Sequence, residues 1–362
     1  MAVATENRVR RGFIGHIHAF RGFAILNIVA VHAWAVQIDF RGGDKQHSTG
    51  VSALYAVNEI LFHGSTLYFA LISGLLFSLV LQSRGWPAFF KSKALNVVTP
   101  YIVITVILTL YAWSDETETF RLFRGDSIEF LTKAAENIIF GNALFHLWYI
   151  PTLVVLYAAT PLLAWVLKSA NTRWLIWPVI LAPLVVSRTR FDDPSLGTQI
   201  YFLGAYAVGM LMGRNYEDGF TAFRRYRNEL IEVVLLTTLA LFATYLLEYD
   251  KVGPVSLRET LFYVQKLAFA LLVLLYLRER EGNLPDWLHT LGTYAFSIYF
   301  LHAIVIMHFT EIELALSPKV LPALTLLAAG FVSFVMSLYV SIVLSALAMR
   351  GLGKRSRMLL GV

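Results

Sequence analysis

Arg21 and His32 lie eleven residues apart inside one apolar run, RGFAILNIVAVHAW. At 100° per residue that interval falls about 20° past three full turns, so a helix would carry both side chains on one face, roughly 16 Å apart along its axis. An ionisable side chain is expensive in hydrocarbon and turns toward a cavity, a partner or the interface. A guanidinium can hold an anionic group, and an imidazole with an ordinary pKa of about 6.5 can take a proton from a hydroxyl. Two readings stand side by side. In one, the pair lines a single cavity at two depths, Arg21 at the inner boundary of the apolar run and His32 past its midplane. In the other, Arg21 snorkels to the inner interface as a positive anchor and His32 is a hydrogen-bonded bundle histidine.

The elements that would position this pair are legible in composition. Of 362 residues 57% are hydrophobic and 15% charged, with mean hydropathy +0.62, where a soluble domain has about 25% charged residues. The chain reads as an all-α, polytopic transmembrane bundle. Ten apolar runs approach the roughly 20 residues that a spanning helix needs: 19–38, 54–82, 96–113, 145–167, 174–189, 198–213, 230–247, 260–277, 290–309 and 320–348. The fifth and sixth are the shortest. The basic start, without an apolar core or cleavage site, suggests a retained first helix rather than a signal peptide. One membrane domain is expected over 1–362, with 1–18 as a cytoplasmic N-terminal segment and 349–362 as a cytoplasmic basic tail.

Lys and Arg set the orientation. With the N-terminus inside, Arg8, Arg10, Arg11, Arg84, Lys91, Lys93, Arg224, Arg225, Arg227, Lys354, Arg355 and Arg357 fall in inner segments, and the acidic stretch from Asp115 to Glu136 falls outside. Ten spans then leave both termini in the cytoplasm of an inner (plasma) membrane protein. The net charge of +6 is read as topology first and as affinity for anionic lipid or ligand second. It gives no reason to expect nucleic acid. With no cysteine, disulfides, thiolate nucleophiles and Cys-ligated metals are excluded. Among nine histidines only His16 with His18 and His302 with His308 are closely spaced, so local sequence offers no three-ligand metal set. RGGDK at 41–45 is too short for a phosphate loop.

Further polar and small residues carry paired readings. Ser73 and Gly74 either permit close helix packing or shape a tunnel. Glu59 and His63, four residues apart, either orient an acceptor near the outer boundary or form an interface ion pair. Trp148 and Tyr149 read as aromatic-belt anchors before ligand contacts. Tyr299 and His302 share a face inside the ninth run, where a polar cavity is plausible. His308, Glu311 and Glu313 read as a solvated rim.

At these residues the chain resembles the acyltransferase-3 family of membrane acyltransferases. The family's hallmark is an Arg, ten intervening residues and a His in the first helix, and Arg21 through His32 fits it. LYFALISGLLFSL around Ser73 and Gly74, FFKSKALNVVTPY ending at Pro100 and Tyr101, HLWYIPTLVVLYAATPLL from His146, and AFSIYFLH ending at His302 resemble further family segments in the family's order. Three positions depart from the pattern. His18 stands where the family commonly has an acid, Val97 where it often has an Arg, and Leu67 where an acid is common.

The resemblance implies transfer of an acyl group, usually acetyl, from cytoplasmic acyl-CoA to a hydroxyl of a glycan, lipid or small-molecule acceptor on the far side. It implies His32 and Arg21 as catalytic residues. Ser73, Gly74, Lys91 and Lys93 would line the donor tunnel, with Glu59, His63, Trp148, Tyr149, Tyr299 and His302 on the acceptor side or in support. Acyl-CoA is then a co-substrate, membrane lipid is a partner, and no cofactor or metal is bound permanently. The competing class is a secondary transporter or flippase that uses the intramembrane Arg and His as a proton relay or counter-ion.

Overall fold

The computed structural model describes residues 14–43, 48–116, 127–188, 194–317 and 319–361. Arg8, Arg10 and Arg11, part of RGGDK, and part of the acidic stretch from Asp115 lie outside the described residues. The described residues are 84% helical, and their strands are the two-residue pair Lys251–Val252 and Val255–Ser256. Nine helices are long and apolar enough to cross a membrane, among the described residues.

The first is α1, Gly15–Arg41. The second is broken into α2, Thr49–Phe62, and α3, Leu67–Leu76, which continues through a wider π turn to Leu81. The third joins α4, Trp86–Lys93, to α5, Thr99–Glu116, through another π turn. After them come α6, Ser127–Phe140, and α7, Tyr149–Lys168. A short α8, Ile176–Leu181, precedes α9, Leu196–Arg214, and α10, Tyr216–Arg225. The rest are α11, Arg227–Leu246; α12, Leu257–Glu279; α13, Asp286–Leu316; α14, Ala323–Leu352; and α15, Ser356–Leu360.

The fifth apolar run does not make a full span. It forms a short, interrupted helix over Arg173–Leu184, and Pro178 and Pro183 within it remove backbone donors. About a dozen residues cover roughly 18 Å, against roughly 30 Å of hydrocarbon. The segment still carries the chain from one end of the bundle toward the other. At one end Arg214 donates to the carbonyl of Lys168, and past the other end Arg188 meets Glu259 on α12. Irregular backbone of this kind is tolerated at membrane depth where protein covers it.

α1 runs through the middle of the bundle with α13, α14, α12 and α2 around it. Its tightest crossing is with α13, where a Cβ on Gly22 would come within 2.3 Å of the Leu288 carbonyl oxygen. At the opposite edge, α11 presents Leu235, Leu236, Leu239, Phe242 and Leu246 outward. That face suits a lipid solvent, since a soluble monomer rarely exposes so large an apolar patch.

Both ends of the described chain come to one end of the bundle: Arg21 near the start of α1 and Arg357 and Gly361 near the C-terminus line the same cavity. The tail boundary therefore moves. α14 runs to Leu352, and 356–361 fold back under the bundle instead of trailing from it. Residues 15–18 likewise belong to α1 rather than to a leading segment.

At that end the His16 ring bonds Glu281 at 2.9 Å and Tyr216 Oη at 2.5 Å. The hydrogen bond from His16 holds the Glu281 carboxyl below the usual glutamate range, against the opposing effect of partial burial. A depressed folded-state pKa gives stabilisation that is present above the unfolded pKa of about 4.3 and disappears as pH falls through the folded value. The melting temperature in detergent should therefore exceed that of Glu281→Gln at neutral pH, and the two should converge on acidification below about pH 4. A constant difference at every pH would contradict this.

Candidate functional site

Two cavities meet inside the bundle. The larger, about 520 Å³, is lined by His18 and Arg21 of α1, Ser73 of α3, Lys93 of α4, Tyr149 and Tyr157 of α7, Tyr299 of α13 and Arg357 of α15. That size is within the range of ligand-binding clefts. Arg21, Lys93 and Arg357 have no carboxylate within ion-pair distance among the described residues. The Lys93 ammonium lies 4.4 Å over the Tyr157 ring, and Tyr157 and Ser73 line the same cavity. His18 bonds the His289 carbonyl at 3.0 Å and Thr293 Oγ1 at 3.2 Å on α13.

The smaller cavity, about 50 Å³, is lined by His32, His63, Gly64, Ser65, Thr66, His146, Trp148, Arg188 and Tyr299. It has room for a few water-sized groups. The expected single passage from Arg21 to His32 is thus two chambers, and Tyr299 lines both. The physical reason is a partition of large side chains. Tyr299 donates to the His146 carbonyl, while neighbouring Trp148 and Tyr149 face the small and large chambers respectively.

Local structure explains how each residue arrives. α2 stops at Phe62, and Gly64, at φ 72°, turns the chain in a conformation that favours glycine. That break places His63 to Thr66 in the wall of the His32 chamber. Lys266 of α12 satisfies the exposed end of α2, its Nζ donating to the carbonyls of Ile60 at 3.0 Å and Leu61 at 2.8 Å. A cation is favourable at a helix C-terminus. On the other side, α6 packs back along α5 through the Asn137 to Thr109 hydrogen bond and the Tyr101 hydroxyl bond to the Ile138 carbonyl. The turn after it delivers Phe145 and His146 to His32. The acidic connection thus contains a helix that apolar periodicity did not predict, and the fourth span begins at Tyr149 instead of 145.

Several expected roles change place. Trp148 and Tyr149 are buried at 4% and 3% exposure, inside the bundle and not in an interfacial belt. Ser73 lines the large cavity, whereas Gly74 packs. A Cβ there would lie 2.1 Å from the Tyr206 carbonyl of α9, so this position serves the helix crossing. Lys93 lines the cavity and Lys91 is exposed outside it. Glu59 is buried and His63 half-buried, and the two are paired within the bundle. His63 Nδ1 meets Glu59 at 3.0 Å, its Nε2 meets Glu259 at 3.2 Å and also contacts Arg188, and Arg188 Nε bonds Glu259 at 2.5 Å. Of the rim residues, His308 pairs with Glu311 in the open, while Glu313 binds Arg41 and Gln37 of α1.

Around His32 the rings are close. Its centroid is 4.9 Å from Phe145, 5.4 Å from His302 and 6.4 Å from His146, and His146 and His302 are 4.8 Å apart. Among the described residues no group of three His, Cys, Asp or Glu is arranged to hold a metal ion.

The acyltransferase-3 family model, an acyltransferase domain, matches residues 14–346. The chain belongs to the acyltransferase-3 family. No curated protein and no solved structure matches it. The protein is a multi-pass membrane acyltransferase, and the transporter reading gives way.

Sequence reasoning passed over several residues of this acyltransferase that line or brace its cavities. Lys266 and Glu259 are charges in or beside the eighth apolar run, and the expense of intramembrane charge is a signal that points to both. Arg188 sits at the end of the weakest run, where only its partners reveal its depth. His146 was visible merely as the first letter of a motif, and Arg357 as one of several tail cations.

Proposed function

We propose that this acyltransferase takes an acyl group, acetyl first among candidates, from acyl-CoA on the cytoplasmic side and delivers it to a hydroxyl of an envelope glycan, lipid or small-molecule acceptor on the far side. The observation that carries the reading is the large cavity's trio of cations, Arg21, Lys93 and Arg357, joined at Tyr299 to a chamber holding His32. Three positive groups without carboxylate partners suit a ligand with several phosphates. The end of the bundle that receives both termini is then the cytoplasmic one of an inner membrane, in keeping with the positive-inside bias.

In this account the donor's phosphates sit among the three cations and its pantetheine arm points at Tyr299. The Tyr299 side chain turns aside to admit the thioester to the His32 chamber. His32 takes the hydroxyl proton as the acceptor oxygen bonds to the acyl carbon. The carbon–sulfur bond breaks, and the thiolate leaves with that proton. Acyl-CoA acts as a co-substrate, so no resident cofactor is needed.

Purified protein in proteoliposomes, given radiolabelled acetyl-CoA and envelope extract, should label a hydroxyl-bearing acceptor that mass spectrometry identifies as an ester. Labelling from a lipid-linked acyl donor with none from acyl-CoA would overturn the donor assignment. Arg357→Ala should raise the donor KM about 10- to 150-fold with kcat little changed, since a charge-assisted bond to phosphate is worth about 1.5–3 kcal/mol. Arg357→Lys should recover part of that loss, keeping the charge without the bidentate fork. An unchanged donor KM would contradict a phosphate role for the tail.

A further inference from the structure

A neutral histidine that acts as a base works through one ring nitrogen, and the hydrogen bond at the other decides which nitrogen that is. In triads a carboxylate supplies that bond, and replacing it by a group that selects the wrong tautomer lowers rate by orders of magnitude. Among the described residues no carboxylate is hydrogen-bonded to His32. Glu59 and Glu259, on the far side of the small chamber, are engaged by His63 and Arg188. Among the described residues, the ring contacts of His32 are with Phe145, His146 and His302.

His302 has a fixed tautomer. Its Nδ1 lies 2.9 Å from the Ile298 carbonyl one turn earlier in α13. A carbonyl oxygen only accepts, so Nδ1 carries the proton and Nε2 carries a lone pair. That Nε2 is fully buried and has no hydrogen-bond partner, which is unusual enough in a folded protein to need a reason. α13 itself is held in place here, because Ser337 of α14 donates to the His302 carbonyl at 3.0 Å. The His32 and His302 rings are 5.4 Å apart between centroids and tilted by 30°.

We propose that His302 is the positioning residue for His32: its Nε2 accepts the N–H of the His32 ring and leaves the other His32 nitrogen unprotonated toward the acceptor hydroxyl. This deepens the proposed function and rests on His32 acting as its base. During transfer the His32–His302 bond persists. His32 gains the acceptor's proton at the opposite nitrogen and returns it to the departing thiolate, so His302 exchanges no proton. His146 offers the rival contact for the same lone pair, 4.8 Å from His302 and farther from His32.

Two amides separate this role from simple packing. The Gln side chain carries its terminal atoms near the place of imidazole Nε2, and the Asn side chain stops near Nδ1. His302→Gln should therefore keep kcat within about tenfold of wild type, while His302→Asn should lose about 10²-fold or more, with the donor KM of both within about threefold. Equal activities of the two variants, whether high or low, would overturn the assignment. A second readout needs no variant. Protein labelled with ¹⁵N-histidine in nanodiscs should show a through-hydrogen-bond N–N coupling between His32 and His302. Coupling of His302 to His146 instead, or none, would overturn it as well. Full activity of His32→Gln would instead reject the parent reading, so the two failures are distinguishable.

Discussion

Replacing His32 by Gln is expected to lower acyl transfer by about 10²- to 10⁴-fold, the contribution of a positioned general base, while the protein folds and binds acyl-CoA as before. The expectation follows from where the ring lies. His32 lines a chamber too small for a whole donor and touches mainly other rings, so its loss removes a proton acceptor and little packing. The phosphate-bearing part of the donor would sit in the other cavity, beyond Tyr299. Its affinity should then be indifferent to the change. Donor binding lost together with activity would mean that His32 helps hold the donor, and an unaffected rate would remove it from the chemistry.

The second large effect is expected on stability. Glu259→Ala should destabilise the protein by about 3–5 kcal/mol, because it withdraws a carboxylate from a buried guanidinium. Arg188 and Glu259 are both about 5% exposed, and their 2.5 Å contact links the loop after α8 to α12, with His63 joining from the break after α2. Arg188 and the break after α2 line the His32 chamber and Glu259 ties them to α12, so activity should fall along with melting temperature. Glu259→Gln, which keeps a hydrogen-bonding group but not the charge, should lose less. Melting temperatures of the two variants in the same detergent test this, and equal values near wild type would show that the ionic cluster is dispensable.

What the sequence made legible divides along a physical line. Apolar runs report solvent, and nine of the ten became long helices because each buries or exposes hydrocarbon along its whole length. The fifth failed at Pro178 and Pro183, whose effect on backbone bonding outweighed the hydropathy around them. Helical periodicity relates Arg21 to His32 but says nothing of what lies between them, and the partition is built by Trp148, Tyr149 and Tyr299 from two other helices. Long-range ion pairs such as Arg188 with Glu259 leave no local signature, and neither does a tail that folds back to place Arg357 beside Arg21. Ser73 and Gly74 show the same limit within two residues. One faces the cavity and the other a carbonyl of α9, and only the partner helix decides which.

A structure of the protein with a non-hydrolysable acyl-CoA analogue tests the central claim most directly. The phosphates should lie against Arg21, Lys93 and Arg357, Tyr299 should be turned from its bond with the His146 carbonyl, and the acyl carbon should stand about 3–4 Å from the place an acceptor oxygen would occupy beside His32. An analogue bound elsewhere, or one seated among the cations with its acyl group directed away from Tyr299, would contradict the account.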